Sequence, residues 1–378
     1  MFLSERHEAF RKEVREFAEH ELPNLRIQEK EEENVFPKAA VELLIRQGLT
    51  GVPFPEKYGG AGKDTLSYCI TVEEISRVWG SLGLTLAAHI SLGSYPIYHF
   101  GTEEQKQKYL APLARGEVLG SFGLTEPGAG SDASATKTVA EPGDGHYVLS
   151  GSKNFITTAN YADTFVVTAV TDRTKGAKGI SAFIVERNFP GFSIGKKEDK
   201  LGLRASDTAT LVFDNCQVPE ENLLGQEGQG FKIFMVTLDG GRISIGAMAL
   251  GIAQASLDEC LEYVRTHKLQ DEQWVQEKIA DMTARIQAAR HLVYHSAWKK
   301  DAGEPFGKES AIAKYFASET ATGSASSAIS IMGLDGISKR YPAERFFRDA
   351  KLTEIGEGTS QIQKIVIARN LFKERGLL

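Results

Sequence analysis

Apolar residues recur at helical spacing through the first part of the chain. Phe10 and Val14 lie four positions apart with charged residues between them, as on the buried face of an amphipathic helix. Ser4 precedes this run and is predicted to be the helix N-cap, because a serine hydroxyl can accept a hydrogen bond from a free amide of the first turn. A further helix is predicted to begin after Thr102. The sequence therefore predicts an N-terminal helical domain over residues 1–116.

The pattern then changes to short runs rich in β-branched and aromatic residues. Four of these runs, separated by Gly, Asp or Pro, are HYVLSGSKNFIT, DTFVVTAV, GISAFIVE and TATLVFDNCQV. Such residues favour strands, and the short spacing of the runs is typical of a sandwich or barrel. We therefore predict a middle β domain over residues 117–228.

Long helical stretches return after Gly230, including IGAMALGIAQASLDECLEYV and QIQKIVIARNLF. They predict a C-terminal helical domain over residues 229–378. The fold class is therefore mainly α with a middle β domain. An order of α, then β, then α favours ligand sites between the layers.

Composition excludes several classes of protein. Hydrophobic residues make up 42% of the 378 positions and charged residues 25%, as in ordinary globular proteins. The net charge of −6 comes from 44 basic and 50 acidic residues mixed along the chain, which argues against a dense basic surface for nucleic acid. No apolar run reaches the ~20 residues of a membrane-spanning helix. We expect neither a nucleic-acid nor a membrane partner.

The three cysteines, Cys69, Cys216 and Cys260, are widely spaced. They offer neither a disulfide framework nor a zinc-ligand cluster, so we expect no metal site and a reducing compartment. The N-terminal residues lack the apolar core of a signal peptide. A cytoplasmic location is the expectation.

Three local motifs are candidates for chemistry. The loop FGLTEPGAGSD, residues 122–132, offers backbone N–H groups and hydroxyls that can hold a flavin edge or a diphosphate, although a polar interdomain turn is the commoner meaning of its composition. Asp239 and Arg242 have i,i+3 spacing and would share a helix face, most often as a surface ion pair. Glu357 lies between two glycines, where a glutamate is usually solvated.

Four segments together resemble the acyl-CoA dehydrogenase family. FGLTEPGAGSD resembles its flavin-binding signature, and SKNFITTA, residues 152–159, resembles its second flavin segment. LDGGR, residues 238–242, is similar to its short-chain and butyryl-CoA branch, and residues 342–369 resemble its C-terminal signature. The resemblance covers almost the whole chain. It implies an N-terminal helical domain, a sandwich- or barrel-like β domain and a C-terminal four-helix bundle.

The resemblance implies FAD as cofactor and an acyl-CoA thioester as substrate. Glu357 falls at the position of the family's base, which removes the proton next to the thioester carbonyl while the β-hydrogen leaves as hydride to flavin N5. The implied cofactor-binding residues are Phe122, Leu124, Thr125, Ser131, Phe155, Ile156, Thr157, Thr359 and Gln361. The residues implied to meet the substrate are Ser131, Asp239, Arg242, Gly358 and Arg369.

Deprotonation beside a thioester demands more than an ordinary carboxylate. We expect burial to raise the pKa of Glu357 by desolvation. We also expect the Glu357 backbone N–H and a flavin ribityl hydroxyl to donate to the thioester oxygen, which would stabilise the developing enolate.

The resemblance also implies a tetramer in which the neighbouring subunit touches each FAD. His267 stands where relatives carry an Arg, although Arg265 can substitute, and Ser330 and Leu334 replace a Gln and a Gly. Two alternatives stay open. The differences are neutral drift in a homotetramer, or the chain forms a heterotetramer with a paralogous subunit that supplies the missing groups.

Gly356 stands where many relatives carry a Tyr. It either widens the acyl pocket for a bulky acyl group or only eases the loop backbone. Electron-transferring flavoprotein is the expected electron acceptor. The alternatives are an oxidase that uses oxygen, a decarboxylating relative with Arg77 as its cation, and a non-catalytic assembly subunit.

Overall fold

The computed structural model describes residues 3–378. Its first part is helical, as the apolar spacing predicted. Ser4 Oγ accepts the His7 N–H and so caps the first helix, which confirms the predicted N-cap. The helices of this part are α1 (Glu5–Glu21), α2 (Ile27–Glu33), α3 (Lys38–Arg46), α4 (Thr65–Val78), α5 (Gly80–Ala87), α6 (Tyr95–Phe100), α7 (Glu103–Gln105) and α8 (Ala111–Ala114).

Wide π-helical turns interrupt this region twice. One turn, Lys106–Leu110, joins α7 to α8, so the helix predicted after Thr102 is less regular than its sequence suggested. The other turn, Ala88–Ser94, joins α5 to α6. At Gly93 in this turn an added Cβ would lie 2.6 Å from the backbone of Gly120, so the turn packs directly on the first strand. Wide turns of this kind are frequent at functional sites.

The middle of the chain forms one eight-stranded sheet. The four predicted runs all form strands, and four shorter strands lacked a clear signal. The strands are β1 (Gly120–Gly123), β2 (Val139–Pro142), β3 (His146–Thr157), β4 (Thr164–Val170), β5 (Ile180–Glu186), β6 (Phe192–Lys197), β7 (Thr208–Pro219) and β8 (Leu223–Leu224).

The FGLTEPGAGSD and SKNFITTA segments lie on strands of the same sheet, β1 and β3. The sheet runs β6-β7-β3-β2-β4-β5-β8, and β1 pairs parallel with β4. The FGLTEPGAGSD loop leaves the end of β1, and the SKNFITTA segment forms the end of β3. A core of its own, including Leu149, Phe165 and Phe183, lies beneath the sheet.

Five helices form the C-terminal part. They are α9 (Gly230–His267), α10 (Gln273–Asp301), α11 (Gly307–Met332), α12 (Ala343–Thr353) and α13 (Ser360–Glu374). Among the described residues, α9 alone is long and apolar enough to cross a membrane, but 78% of its most apolar stretch is buried inside the protein, as in the core helix of a globular fold.

The N-terminal and C-terminal helices share a single hydrophobic core. At Gly251 of α9 an added Cβ would lie 2.3 Å from the Glu73 carbonyl oxygen of α4, so only glycine lets these two helices pack this closely. Helix α9 therefore runs beneath the N-terminal helices, the π-helical turn at residues 88–94 and the C-terminal loop before α13. Its middle is where the candidate site forms.

Candidate active site

Glu357 lies in the short loop between α12 and α13. Its backbone has a φ of +55°, and Gly358 follows with a φ of +96°. A left-handed glutamate costs about 1–3 kcal/mol and persists only where its surroundings hold it. Thr359 ends the turn as the N-cap of α13, where its Oγ1 accepts the Ile362 N–H at 3.3 Å.

The turn directs the Glu357 carboxylate into the protein. Its Oε2 atom is buried and has no hydrogen-bond partner. It lies against α9, where a Cβ added to Gly241 would be 2.0 Å from this oxygen, and Leu92 of the π-helical turn closes the same space. Gly241 is therefore the residue that makes room for the carboxylate.

Burial is the largest influence on the pKa of Glu357. It raises the pKa of this carboxyl to about 7, while the positive charges of Lys314 and Arg242 act in the opposite direction. This agrees with the raised pKa expected from the sequence. A carboxylate with a pKa near neutrality is suited to general base catalysis.

Two buried cations accompany this carboxylate. Arg242 is 6% exposed and pairs with Asp239, but its Nε is buried without a partner. The i,i+3 spacing thus forms a buried pair rather than a surface one. Lys314 of α11 is fully buried and donates to the Gly358 carbonyl oxygen at 2.6 Å.

The backbone N–H of Glu357 is free to serve a ligand. Within residues 3–378 it donates no hydrogen bond to a protein acceptor. The carbonyl oxygens of Glu357 and Gly358 accept from Gln363 instead. A free N–H beside a buried carboxylate can polarise a carbonyl group placed between them.

A buried ion pair shapes the loop after β1. Glu126 accepts the Lys153 Nζ at 2.7 Å and the Lys137 and Thr138 N–H groups. Burial opposes the ionisation of Glu126, but Lys153 outweighs it and lowers the pKa of this carboxyl to about 2. The FGLTEPGAGSD and SKNFITTA segments are therefore tied together by charge.

The two segments also meet through their backbones. The Asn154 N–H donates to the Thr125 carbonyl oxygen at 2.7 Å, and the Ser121 hydroxyl donates to the Thr157 carbonyl oxygen at 2.6 Å. The Thr125 and Thr157 side chains are half-buried and make no hydrogen bond within the described residues. They are therefore available to a polar ligand edge.

Phe155 is the most unusual residue of this surface. Its ring is 62% exposed and its φ is +57°, a conformation that bulky residues rarely adopt. In the same segment, Asn154 Oδ1 and Thr158 Oγ1 are buried without partners. An exposed aromatic ring beside unsatisfied polar atoms fits a planar, polar-edged cofactor such as a flavin.

The remaining predicted residues occupy varied positions. Phe122 stacks on Phe234 of α9 with ring centroids 4.0 Å apart, which ties the β1 loop to the helix that carries Gly241. Ile156 has its side chain in the core of the sheet, so only its backbone can face a ligand. Leu124 is half-buried, and the exposed residues are Ser131, Gln361 and Arg369.

Several residues of the site escaped the sequence analysis. Gly241, Lys314 and Gln363 surround Glu357, and Lys153 with Glu126 holds the β1 loop. Lys314 did leave a signal, since a lysine interrupts the apolar face of AIAKYFAS, but a solvated lysine is the usual reading. Gly241 and Gln363 lay inside recognised motifs without a role attached to them.

The residues of the expected partner face lie apart from Glu357. His267 ends α9 and stacks on Tyr263, Ser330 is exposed on α11, and Leu334 is 85% exposed. Arg265 pairs with Glu262. Leu334 therefore presents an apolar side chain to solvent in the single chain.

Arg77 was the cation suggested for a decarboxylating relative. The structure pairs it with Asp258 at 2.6 Å and with Glu19 at 3.2 Å, in a network on α1, α4 and α9. Its charge is already matched there, so it supplies no cation for a substrate carboxylate beside Glu357.

Family models of acyl-CoA dehydrogenases match three successive parts of the chain. The N-terminal domain model matches residues 4–117, the middle domain model residues 121–216 and the C-terminal domain model residues 228–372. The chain is 50% identical to the short-chain-specific acyl-CoA dehydrogenase of Clostridium acetobutylicum, covering 98% of this chain and 99% of the relative.

Solved structures show the same similarity. Butyryl-CoA dehydrogenase from Megasphaera elsdenii superposes with a TM-score of 0.96 at 46% identity, covering 98% of this chain and 99% of that one. A chain solved in work on the electron-transferring flavoprotein of Acidaminococcus fermentans and flavin-based electron bifurcation has a TM-score of 0.96 at 47% identity, with the same coverage.

Gly241→Ala tests whether Gly241 makes room for the carboxylate. The new methyl group would overlap Glu357 Oε2, so a crystal structure should show that side chain displaced by about 1 Å or more, because carbon and oxygen cannot approach within 3 Å. Melting temperature should change little, because the end of a side chain can move and alanine favours a helix.

Gly240→Ala is the matched control. Its Cβ would lie 3.2 Å from the flexible end of Lys300, so Glu357 should stay in place. An undisturbed Glu357 in the Gly241→Ala crystal structure would show that the glycine is not what admits the carboxylate.

Proposed function

This chain belongs to the acyl-CoA dehydrogenase family, and we propose that Glu357 is the base that begins its reaction. The reaction is the FAD-dependent α,β-dehydrogenation of an acyl-CoA thioester to the trans-2-enoyl-CoA. One observation carries the proposal for Glu357. Its Oε2 is sealed from solvent, has no protein partner and belongs to a carboxyl whose pKa burial raises to about 7.

Glu357 can act on a substrate in two ways. Oε2 has no donor to displace before it accepts the proton from the carbon next to the thioester carbonyl. The free N–H of the same residue donates to the thioester oxygen and stabilises the negative charge that develops there. Bound FAD supplies the acceptor for the β-hydrogen, which leaves as hydride.

The surface around Phe155 is our proposed flavin site. Thr125 and Thr157 offer free hydroxyls, and Phe155 offers its exposed ring to the planar cofactor. Phe122, Leu124, Ile156 through its backbone, Ser131, Thr359 and Gln361 complete the proposed contacts. The exposed ring and the unsatisfied polar atoms beside it support this assignment.

The buried pair on α9 is our proposed neighbour of the CoA arm. Arg242 keeps one buried N–H without an acceptor, so a carbonyl or phosphate oxygen of the ligand would satisfy it. Burial raises the pKa of Asp239 against the opposing charge of Arg242. Ser131, Gly358 and Arg369 are the further residues proposed to meet the substrate.

Electron-transferring flavoprotein is our proposed electron acceptor. The support is the close structural match to a chain studied with such a flavoprotein from Acidaminococcus fermentans. Turnover that needs this protein and is negligible with oxygen alone would agree, whereas fast turnover with oxygen would favour an oxidase. The unpaired, poised Glu357 carboxylate weighs against a non-catalytic subunit.

We further propose a cytoplasmic location. The three cysteines are free and buried, as suits a reducing compartment. Fractionation of the source cells that recovered the protein with periplasmic or membrane markers would overturn this assignment.

Gly356 bears on the choice of acyl group. Its φ lies outside the left-handed region, and an added Cβ would meet only the Leu352 carbonyl oxygen, at 3.5 Å. The backbone therefore does not require glycine here. This supports the wider pocket over the eased backbone, and we propose that the substrate carries a branched, cyclic or otherwise bulky acyl group.

Glu357→Gln should lose dehydrogenation and keep its yellow flavin. The amide cannot accept the proton, so turnover should fall by about 10²–10⁴-fold, the usual contribution of a general base. Glu354→Gln, three positions earlier, is the control and should retain turnover. In the unaltered enzyme, kcat/KM should rise with pH up to about 7 and then level, because only the ionised carboxylate accepts the proton. Undiminished turnover by Glu357→Gln would identify another base.

Gly356→Tyr should narrow the acyl pocket. We expect kcat/KM for a branched acyl-CoA to fall by about 10-fold or more while that for butyryl-CoA is kept, on the scale of one or two methylene contacts. Flavin bleaching by a panel of acyl-CoA thioesters under anaerobic conditions measures both. A wild-type enzyme fastest with straight four-carbon chains and inactive on branched ones would refute the bulky-substrate proposal.

We propose a homotetramer with one FAD for each chain, as the family resemblance implies. Exposed apolar side chains such as Leu334 and Ile337 support burial against another subunit. Light scattering and flavin absorbance on the purified protein measure mass and stoichiometry. A tetramer with fewer FAD than chains, restored by a co-purifying paralogue, would favour the heterotetramer.

A further inference from the structure

Two buried side chains hold the backbone of Glu357 and Gly358 from within the protein. Lys314 Nζ donates to the Gly358 carbonyl oxygen at 2.6 Å. Gln363 Nε2 donates to the same oxygen at 2.8 Å and lies 3.3 Å from the Glu357 carbonyl oxygen. Both side chains are fully buried, so water cannot replace either donor.

These hydrogen bonds hold the backbone of Glu357 and Gly358 in the left-handed conformation, which is unfavourable for a non-glycine residue. Glu357 and Gly358 are consecutive left-handed residues, with φ of +55° and +96°. Strain of about 1–3 kcal/mol at a non-glycine residue persists only where the surroundings fix it. Gln363 contacts both carbonyl groups and Lys314 contacts that of Gly358. The Glu357 N–H donates to no protein acceptor within residues 3–378, and the carboxylate lies against Gly241.

Lys314 also brings a positive charge that no carboxylate within residues 3–378 neutralises by direct contact. The charged groups that act on Glu357 are Lys314 and Arg242. Arg242 is already paired with Asp239, and Glu354 is paired with Lys351. Both cations act on the Glu357 carboxylate, and the effect of Lys314 is the larger. Burial lowers the pKa of Lys314 to about 8, which leaves its ammonium charged at neutral pH.

We propose that Lys314 and Gln363 are positioning residues that clamp the Glu357–Gly358 backbone, and that the charge of Lys314 favours the ionised form of the base against the desolvation that opposes it. This inference rests on the proposed role of Glu357. It gives the two residues different tasks, since both hold the backbone and only Lys314 carries charge. That difference makes the proposal testable.

Lys314→Met and Gln363→Met, each as FAD-loaded enzyme, separate the two tasks. Either variant leaves the Gly358 carbonyl with one donor, so both should fold and retain flavin. Lys314→Met should shift the acid limb of the kcat/KM–pH profile, where activity rises as Glu357 ionises, to higher pH by about one to two units. The reason is that the variant lacks the nearby positive charge that favours the ionised carboxylate. Gln363→Met should lower kcat by about 10-fold through looser positioning, with the limb unmoved.

Lys200→Met is the matched control. Lys200 likewise donates to a backbone carbonyl, that of Ser206 at 2.6 Å, but it lies in the connection between β6 and β7. Its removal should leave the acid limb where it is. The double variant Lys314→Met/Gln363→Met leaves Gly358 without a donor and should lose more activity than the two single losses combined.

The outcomes distinguish this inference from the proposed function. If Glu357→Gln is inactive while Lys314→Met keeps both the wild-type acid limb and the wild-type rate, the clamp is wrong and Glu357 remains the base. If Glu357→Gln is active, the role of Glu357 itself fails. If Lys314→Met does not retain flavin, the pH profile of kcat/KM for Gln363→Met is the deciding measurement. An acid limb shifted there by the one to two units expected for Lys314→Met would overturn the division of tasks.

Discussion

Burying a carboxylate oxygen costs several kcal/mol unless charge or hydrogen bonds compensate it, and the buried Oε2 of Glu357 receives only part of that compensation. Its Oε2 has no donor, and the two nearby cations, Lys314 and Arg242, act through space rather than by direct contact. The group is left between its charged and neutral forms near pH 7. That balance is what allows a carboxylate to accept a proton from so weak an acid.

The rest of the fold maintains this balance. Helix α9 supplies Gly241, whose missing side chain admits the carboxylate, and Arg242, whose charge restrains the rise in pKa. The same helix carries Phe234, on which Phe122 of the flavin loop stacks. One helix thus sets the base and the proposed cofactor surface in a common frame. The buried Glu126–Lys153 pair then joins the two halves of that surface.

Much of the architecture could be predicted because it depends on short-range patterns in the sequence. The N-cap at Ser4, the four main strands and the long C-terminal helices all follow from spacing and residue type. The π-helical turns could not be predicted in this way, because they depend on tertiary packing, such as the close approach of Gly93 to Gly120. Strands β1, β2 and β8 are too short to carry a period of their own, and β6 contains a glycine and ends in two lysines, which are poor strand formers.

The residues of the site likewise fall into those that the sequence could assign and those that only the structure shows. Glu357 had little support from its own neighbours in the sequence, where a glutamate between two glycines is usually solvated, and family resemblance supplied its role. The structure adds the physical reason, since the left-handed turn buries that side chain. Lys314 and Gln363 could not be assigned from sequence, because their importance lies in hydrogen bonds to residues 44 and 6 positions away in the chain. The sequence shows the glycine at position 356, but only its φ shows that the backbone does not require glycine there.

The most direct test is the pKa of Glu357 in the FAD-loaded enzyme without substrate. Infrared difference spectra across a pH titration, with Glu357→Gln subtracted, isolate its carboxyl band. The band of the protonated acid should disappear with a midpoint near pH 7, because burial outweighs the two cations. A midpoint near the ordinary glutamate value of about 4.3 would show that the carboxylate is solvated, and the account of a desolvated base would be wrong.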